Sequence, residues 1–482
     1  MTTVSNAPDK STIQGLILRG YTHPFSCHLL FNFPADTPTS ATQAFFKALY
    51  PLVQNAEDWD TNKPARMLNI GLTFTGIQQL NVLSASDLAQ FPSDFQSGPW
   101  SGQSQASLSD YGSSAPSTWW EGNFPNQNLH CVVHAYGLTQ PDLDALISDI
   151  TTAAAANDVQ ELFALAGNQE RLTQYPLPDD EIHFGYRDGI SEPALTWSGA
   201  PPSPQGDQGD LDNFLIGYSP TTSQIQPGPT AGNAGSFALN GCYNAFRILY
   251  QNVAAFNKLL QDQSSTIVPI IGGTSDQAQE WLAAKLMGRW RNGSPLILSP
   301  DAPNPATQDG ELFGYTEPND PSTYKDVLST NKCPYSAHTR VANPRDEHLT
   351  PIEGTAPPRI VRRGVPYGPT LTGITDDGKD RGLIGLFLCG SFSRQFEKIY
   401  GWMNTNNFAS DLAGLSTYPQ DAVLGNRNPT SLGNINTNFT IPMANQNPVL
   451  VSQLPLLIET RGTAYCLLPS LTTIRLLAGM AP

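Results

Sequence analysis

No C-x-x-C pair occurs among the six cysteines, which stand far apart at Cys27, Cys131, Cys242, Cys333, Cys389 and Cys466. Neither a zinc cradle nor a disulfide scaffold is indicated, and reduced thiols are expected. No apolar run approaches the roughly 18 residues that a membrane helix needs. Basic residues are few: 26 lysines and arginines against 42 acidic residues leave a net charge of −16, with no cationic cluster to offset it. Such a chain repels a phosphate backbone, so neither nucleic acid nor a membrane is an expected partner. The opening MTTVSNAPDKS lacks the basic start and apolar core of a secretory signal, so a cytoplasmic chain is expected, with secretion left open. There is no G-x-S-x-G elbow, and the seven histidines form no metal-ligand cluster, which leaves a hydrolase little support. Abundant instead are glycine (40) and proline (41), about a sixth of the 482 residues, and they predict long ordered loops.

That length exceeds one ordinary domain, so two domains or one duplicated architecture is expected. Strands are predicted over residues 29–33, 67–74 and 129–135, and helices over 41–50 and 142–156, the latter opened by Gln140-Pro141. A Pro/Gly/Ser/Gln-rich connection over 201–235 reads equally as a domain boundary or as a loop covering a site. Beyond it, strands are predicted at 243–250, 383–388 and 464–468, helices at 253–260, 276–287 and 392–403, and a short extended piece at 295–298. The architecture this suggests is α+β: two halves, each an antiparallel sheet with helices on one face.

Three stretches carry chemical potential. In Gly185-Tyr186-Arg187-Asp188-Gly189 two glycines bracket an Arg-Asp pair, which lets backbone approach a flat ligand while the carboxylate turns inward. Taken alone, Asp-Gly is a turn signal. The second, CPYSAHTRVANPRD from Cys333 to Asp346, sets His338 beside Arg340 and Arg345, a metal ligand next to cations for an anionic group. The third, RIVRRGVPYG from Arg359 to Gly368, places Arg362 between an Ile-Val pair and a Gly/Pro turn, where a guanidinium is able to face inward.

Together, and in this order, the three stretches resemble the dye-decolorising peroxidases, whose hallmarks are a G-x-x-D-G motif, a later proximal histidine in a C-P-x-x-A-H-x-R-like segment, and an arginine before a G-x-P-Y-G-like turn. Further similarity lies in IQGLILRG near the start, in GRWR at Gly288–Arg291, and in RGL leading to RQFE at Arg394–Glu397, so the resemblance spans nearly the whole chain. It implies two ferredoxin-like domains of the dimeric α+β barrel type, an N-terminal one over 1–180 and a haem-binding one over 181–482 with long loop insertions. It also implies haem b as cofactor, and reduction of hydrogen peroxide through a ferryl intermediate, coupled to oxidation of bulky aromatic small molecules such as dyes and phenols.

On this resemblance His338 is the proximal iron ligand, leaving the other axial position vacant. Its second N–H needs an acceptor, for which Glu397 is preferred over Asp346. Asp188 takes the proton of peroxide and returns it to the departing oxygen, while Arg362 polarises the bond. Arg340 or Arg345 receives the haem propionates. Along the strand at 383–388 alternate side chains face the distal cavity, with Phe387 the chosen lining residue and the register ambiguous. Tyr367, five residues after Arg362, is the candidate electron relay for substrates too large for the pocket, against simple packing in its turn. The alternative function is a haem-handling protein without efficient peroxide turnover, which needs neither Asp188 nor Arg362.

Overall fold

The computed structural model describes residues 7–59, 62–164, 170–197, 208–218, 225–315, 332–345, 357–405, 420–428, 437–443 and 447–481. In the N-terminal half, strands β1 (Phe25–Asn32), β2 (Arg66–Thr73), β3 (Cys131–Gly137) and β4 (Gln160–Leu162) carry helices α1 (Thr39–Leu49) and α2 (Gln140–Ala155) on one face. Helix α2 starts where the Thr139 side chain accepts from Asp142 N and Asp142 returns the bond. Its buried residues Leu143, Leu146, Ile150 and Ala154 recur at helical spacing and form one apolar stripe. The C-terminal half contributes β5 (Cys242–Gln251), α3 (Val253–Ile271), α4 (Ser275–Met287), α5 (His338–Ala342), β6 (Val361–Arg362), β7 (Val365–Tyr367), β8 (Gly382–Cys389), α6 (Glu397–Thr405) and β9 (Ile458–Leu468). Residues 295–298, expected to be extended, form a bridge and turn instead, with Leu298 N bonded back to Pro295 O.

Strand order exposes the duplication. The N-terminal strands lie in the order β4-β1-β3-β2 and the C-terminal ones in the order β9-β5-β8-β7, so each half follows the 4-1-3-2 arrangement of a ferredoxin-like unit. The halves do not form separate sheets. Their edges join antiparallel, Leu467 opposite Leu72 and Cys466 opposite Thr73, into one continuous sheet. Its far ends also meet: strand Leu172–Gln174 pairs with β1, Tyr175 N donates to Pro366 O at 3.1 Å, and Gln174 Nε2 donates to Ile384 O at 2.9 Å. The sheet thus curls into a barrel, which leaves no long free edge. Leu30, Val132, Phe246, Ile248, Ile384 and Leu386 fill its inside, while the outer face carries helices over the N-terminal half and a cavity over the C-terminal half.

Inside this barrel sits a buried histidine pair, His28 Nδ1 and His134 Nδ1 at 2.8 Å, with His28 Nε2 donating to Gln174 Oε1 at 2.6 Å. Burial pushes the His28 pKa down from 6.5 to about 4 against the small upward pull of Gln174, and burial, then His28, holds His134 well below its usual value. Between these values the unfolded chain binds protons that the fold refuses, so stability falls as pH drops from about 6.5 to about 4, by about 3 kcal/mol from His28 alone. Urea unfolding across this window checks the slope, which flattens in His28→Gln; a midpoint independent of pH there contradicts it.

Candidate active site

A cavity of about 1660 Å³, counted out to its mouth, opens against the outer face of the C-terminal half. Leu383, Gly385 and Phe387 of β8 and Leu249 and Gln251 of β5 form one wall, because alternate residues of a strand share a face. This settles the register left open above: Phe387 faces the cavity, while Leu386 lies in the barrel interior. A Cβ built on Gly385 would come within 2.3 Å of the Phe387 ring, so the ring folds over bare backbone. Helix α6 supplies Ile399, Tyr400 and Met403, continuing the face begun by Phe396 at spacings of three and four.

His338, at the start of α5, lines the cavity, and its Nδ1 lies 2.8 Å from Oδ2 of Asp421, which is fully buried. The other oxygen, Oδ1, accepts from Val423 N and Leu424 N, both at 2.8 Å, so the carboxylate is fixed in place. With Nδ1 occupied, Nε2 is the nitrogen left for a ligand. Burial disfavours the imidazolium, but the Asp421 charge outweighs it and the His338 pKa rises above 6.5. The same charge strengthens the imidazole as a ligand. Glu397, the expected partner, is elsewhere: it is buried and accepts from Tyr465 Oη at 2.8 Å. It lies one position along α6 from Phe396, off the stripe that faces the cavity. The other candidate, Asp346, lies outside the described residues.

Asp188 and Arg362 line the same cavity, Oδ1 to Nη1 at 3.0 Å. Arg362 is further held by Glu192, whose Oε1 meets Nε at 2.7 Å and whose Oε2 accepts the backbone N–H at 2.8 Å, and by Ile190 O at 3.0 Å. Glu192 above all, with burial opposing and Asp188 assisting, raises the Arg362 pKa, so this guanidinium stays charged.

Of the two propionate candidates only Arg345 reaches the cavity. Arg340 is buried, donates to Cys333 O at 2.6 Å and stacks 4.0 Å from the centre of the Tyr335 ring. Two residues along a helix turn a side chain by about 200°, so Arg340 points away from the side that His338 occupies. Arg289, from the GRWR segment, lines the cavity beside Arg345. Its Nη2 and that of Arg345 both donate to Ser191 Oγ, at 2.9 and 3.2 Å, and both guanidinium groups lie over the Phe313 ring. Ser191 and Arg345 both adopt positive φ, +61° and +53°, a rare backbone state for such residues.

A flat prosthetic group with an iron and two carboxylates fits these residues: apolar walls, one imidazole oriented by a buried carboxylate, and two arginines converging on one hydroxyl. Among the described residues no set of three or more His, Cys, Asp or Glu is arranged to hold a bare metal ion, so the lone His338 suits a metal brought by such a group. No helix there is long and apolar enough to cross a membrane. An oriented imidazole and an acid–guanidinium pair thus meet on one apolar cavity, carried by a duplicated antiparallel fold.

No protein-family model matches the chain. In sequence it is similar to Peroxidase 2 of Mycetinis scorodonius, 28% identical over 495 residues that cover 96% of this chain and 86% of that one. It is also similar to the dye-decolorizing peroxidase of Mycena epipterygia, 27% identical over 84% of this chain and 74% of that one. In fold it is similar to a solved dye-decolorizing peroxidase in complex with 2,6-dimethoxyphenol, with a TM-score of 0.74, 23% identity, and 98% and 100% of the two chains covered. An ancestral D-type enzyme gives a TM-score of 0.77 at 24% identity over 97% and 98%. Along most of its length the chain is thus similar to the dye-decolorizing peroxidases, which are haem-dependent enzymes.

Asp421, Glu192, Arg289 and Ser191 are the candidate site residues that sequence reasoning missed. Glu192 stands four residues beyond Asp188 within GYRDGISEP, and a second acid there was a usable signal. Asp421 had none: it lies 83 residues from His338 in a segment with no motif.

Proposed function

We propose that the cavity holds haem b, for which His338 would offer Nε2 to the iron and Arg289, Arg345 and Ser191 would receive the propionates. The protein then reduces hydrogen peroxide and oxidises bulky aromatic reductants, dyes and phenols among them. The observation that carries this reading is the meeting, on one cavity, of the Asp421-oriented imidazole and the Asp188–Arg362–Glu192 cluster.

Bound haem supplies the redox-active iron at which peroxide is reduced. The residues do the rest. Asp421 keeps His338 in the tautomer with its proton on Nδ1, so that Nε2 presents a lone pair. Asp188 accepts a proton from one peroxide oxygen and delivers it to the other. Arg362, held in place by Glu192, draws electron density from the departing oxygen as the O–O bond opens. The apolar lining of Phe387, Phe396 and Ile399 keeps water away and strengthens each of these charges.

The test is an absorption spectrum of haem-reconstituted protein, wild type beside His338→Ala, before and after stoichiometric hydrogen peroxide. The expected result is a Soret band that shifts with peroxide in wild type and not in the variant. Bound haem that ignores peroxide favours the haem-handling alternative, which has no use for Asp188 or Arg362. Failure to bind haem overturns both.

A further inference from the structure

We propose that Arg363 is a positioning residue for the peroxide-cleaving cluster: seated by the N-terminal IQGLILRG stretch, its buried charge keeps Glu192 against β6 and so keeps Arg362 correctly placed beside Asp188. This rests on the peroxidase reading above and adds a residue to it from outside the cavity.

The two arginines of RIVRRG diverge at the sheet. Successive residues of an extended chain face opposite sides, so Arg362 turns to the cavity and Arg363 to the barrel interior. Arg363 N donates to Leu386 O at 2.9 Å, which carries the pairing of β6 with β8 one residue further. The Arg363 side chain does not line the cavity and is only 9% exposed. Tyr367 shares this inner side: it belongs to the same apolar cluster as Ile384 and Leu386, does not line the cavity, and donates from Oη to Asp380 Oδ1 at 2.9 Å.

The seat for Arg363 is the IQGLILRG stretch, residues 13–20, for which the chemistry of the cavity gives no use. Gln14 is wholly buried and fixes the stretch at the junction of the two halves. Its Nε2 donates to Ile70 O and Pro469 O, both at 2.8 Å, and its Oε1 accepts from Ile70 N at 2.8 Å and from Asn69 Nδ2 at 3.1 Å. Gly15 runs so close to its neighbours that a Cβ would stand 2.4 Å from Asn55 O and 2.6 Å from Tyr21 Oη, so no side chain fits there. The next carbonyl, Leu16 O, is thereby held where it accepts from Arg363 Nε at 3.2 Å, and Arg362 O accepts from Arg363 Nη1 at 3.1 Å.

Two carbonyls fix the shape of this guanidinium without answering its charge. Burial pulls the Arg363 pKa below the usual arginine value, and Glu192 is the strongest charge acting against that pull. Glu192 Oε2 lies 3.8 Å from Arg363 Nη1 and accepts from Arg362 N at 2.8 Å, while Oε1 lies 2.7 Å from Arg362 Nε. One carboxylate therefore stands between two guanidinium groups, and Asp188 and Glu192 balance Arg362 and Arg363 in charge. Buried charges persist only when paired and hydrogen-bonded. Without Arg363, two carboxylates face one guanidinium, and Glu192 is drawn away from β6 towards water. Arg362 then loses its Nε anchor and closes on Asp188, and a carboxylate held by a full guanidinium fork is a poorer base for peroxide.

The experiment uses the haem-loaded enzyme as wild type, Arg363→Met, Arg363→Lys, Glu192→Gln, and Glu192→Gln combined with Arg363→Met. Stopped-flow absorbance gives the rate of reaction with hydrogen peroxide. A Soret titration gives the affinity for cyanide, which must also lose a proton to bind as an anion opposite His338. Arg363→Met should lower both about tenfold, the effect of one charge at an effective dielectric constant of about 20. Arg363→Lys keeps the charge without the fork and should lose less than about threefold. Added to Glu192→Gln, Arg363→Met should cost less than about twofold more, because a residue that acts through Glu192 then has nothing to act on. If Arg363→Met does not fold, Arg363→Gln, which keeps a donor for Leu16 O without the charge, replaces it in the same comparisons. Equal losses in both backgrounds, a lysine variant as slow as the methionine one, or no loss at all overturns this inference alone. A wild type whose Soret band ignores peroxide overturns the peroxidase reading beneath it.

Discussion

Replacing Asp188 by asparagine, or Arg362 by leucine, lowers the rate of reaction with hydrogen peroxide by about 10²- to 10⁴-fold, measured by stopped-flow absorbance of the haem-loaded enzyme against peroxide concentration. The two groups form one unit, Oδ1 to Nη1 at 3.0 Å, and peroxide activation needs both functions at once. An amide in place of Asp188 keeps the shape and some hydrogen bonding but cannot accept the proton that must move between the two oxygens. A leucine in place of Arg362 removes the fixed positive charge and also strands two carboxylates, Asp188 and Glu192, beside each other. Arg362→Lys recovers little, because Nε, Nη1 and Nη2 are each engaged and an ammonium cannot reproduce that fork. Glu192→Gln falls between: the arginine keeps its charge and its Asp188 contact but loses the carboxylate that anchors its Nε. Because these residues act together, the double variant should lose no more than the worse single one. Rates that stay at the wild-type level in both single variants remove the pair from the mechanism.

How far the sequence carries follows from how local each feature is. Strand β8, GLIGLFLC, is a near-continuous apolar run, since both faces of its sheet are covered, and such a run announces itself. The closing of the sheet into a barrel depends instead on Gln174 reaching Val365 and Ile384, 191 and 210 positions away, and no pattern within one segment encodes that. The site divides in the same way. Asp188, His338 and Arg362 sit in compact motifs with glycine, proline or histidine beside them and were legible. Arg340 misled, because nearness along the chain is not nearness in space: on a helix its position is turned away from His338, while Arg289, from a distant segment, arrives beside Arg345. The Asp421 contact is tertiary, made by a short segment whose only sign is a buried aspartate capping the N–H groups of Val423 and Leu424.

Asp110→Ala destabilises the protein by about 3–5 kcal/mol, the cost of leaving a buried guanidinium without its counter-charge. Asp110 belongs to the long loop of the N-terminal half, yet its carboxylate meets Arg247 at the centre of β5, where both side chains are almost wholly buried. One oxygen lies 2.9 Å from Nη1, and Thr463 and Thr460 each take a further guanidinium hydrogen bond at 2.7 Å. Burial opposes the charge on Arg247, but Asp110 outweighs it and keeps the guanidinium protonated. The guanidinium also lies 4.3 Å from the centre of the Tyr400 ring, and Tyr400 forms part of the cavity wall. The ion pair therefore ties a loop of one half to the strand and helix that frame the site in the other. Its removal should lower the urea midpoint and speed haem loss together, because the α6 wall loosens as the arginine seeks water. Replacing both partners by apolar residues of similar volume, Asp110→Leu with Arg247→Met, should recover most of the stability, since no charge is then left buried. If the single and double variants lose the same stability, packing rather than charge pairing holds this junction.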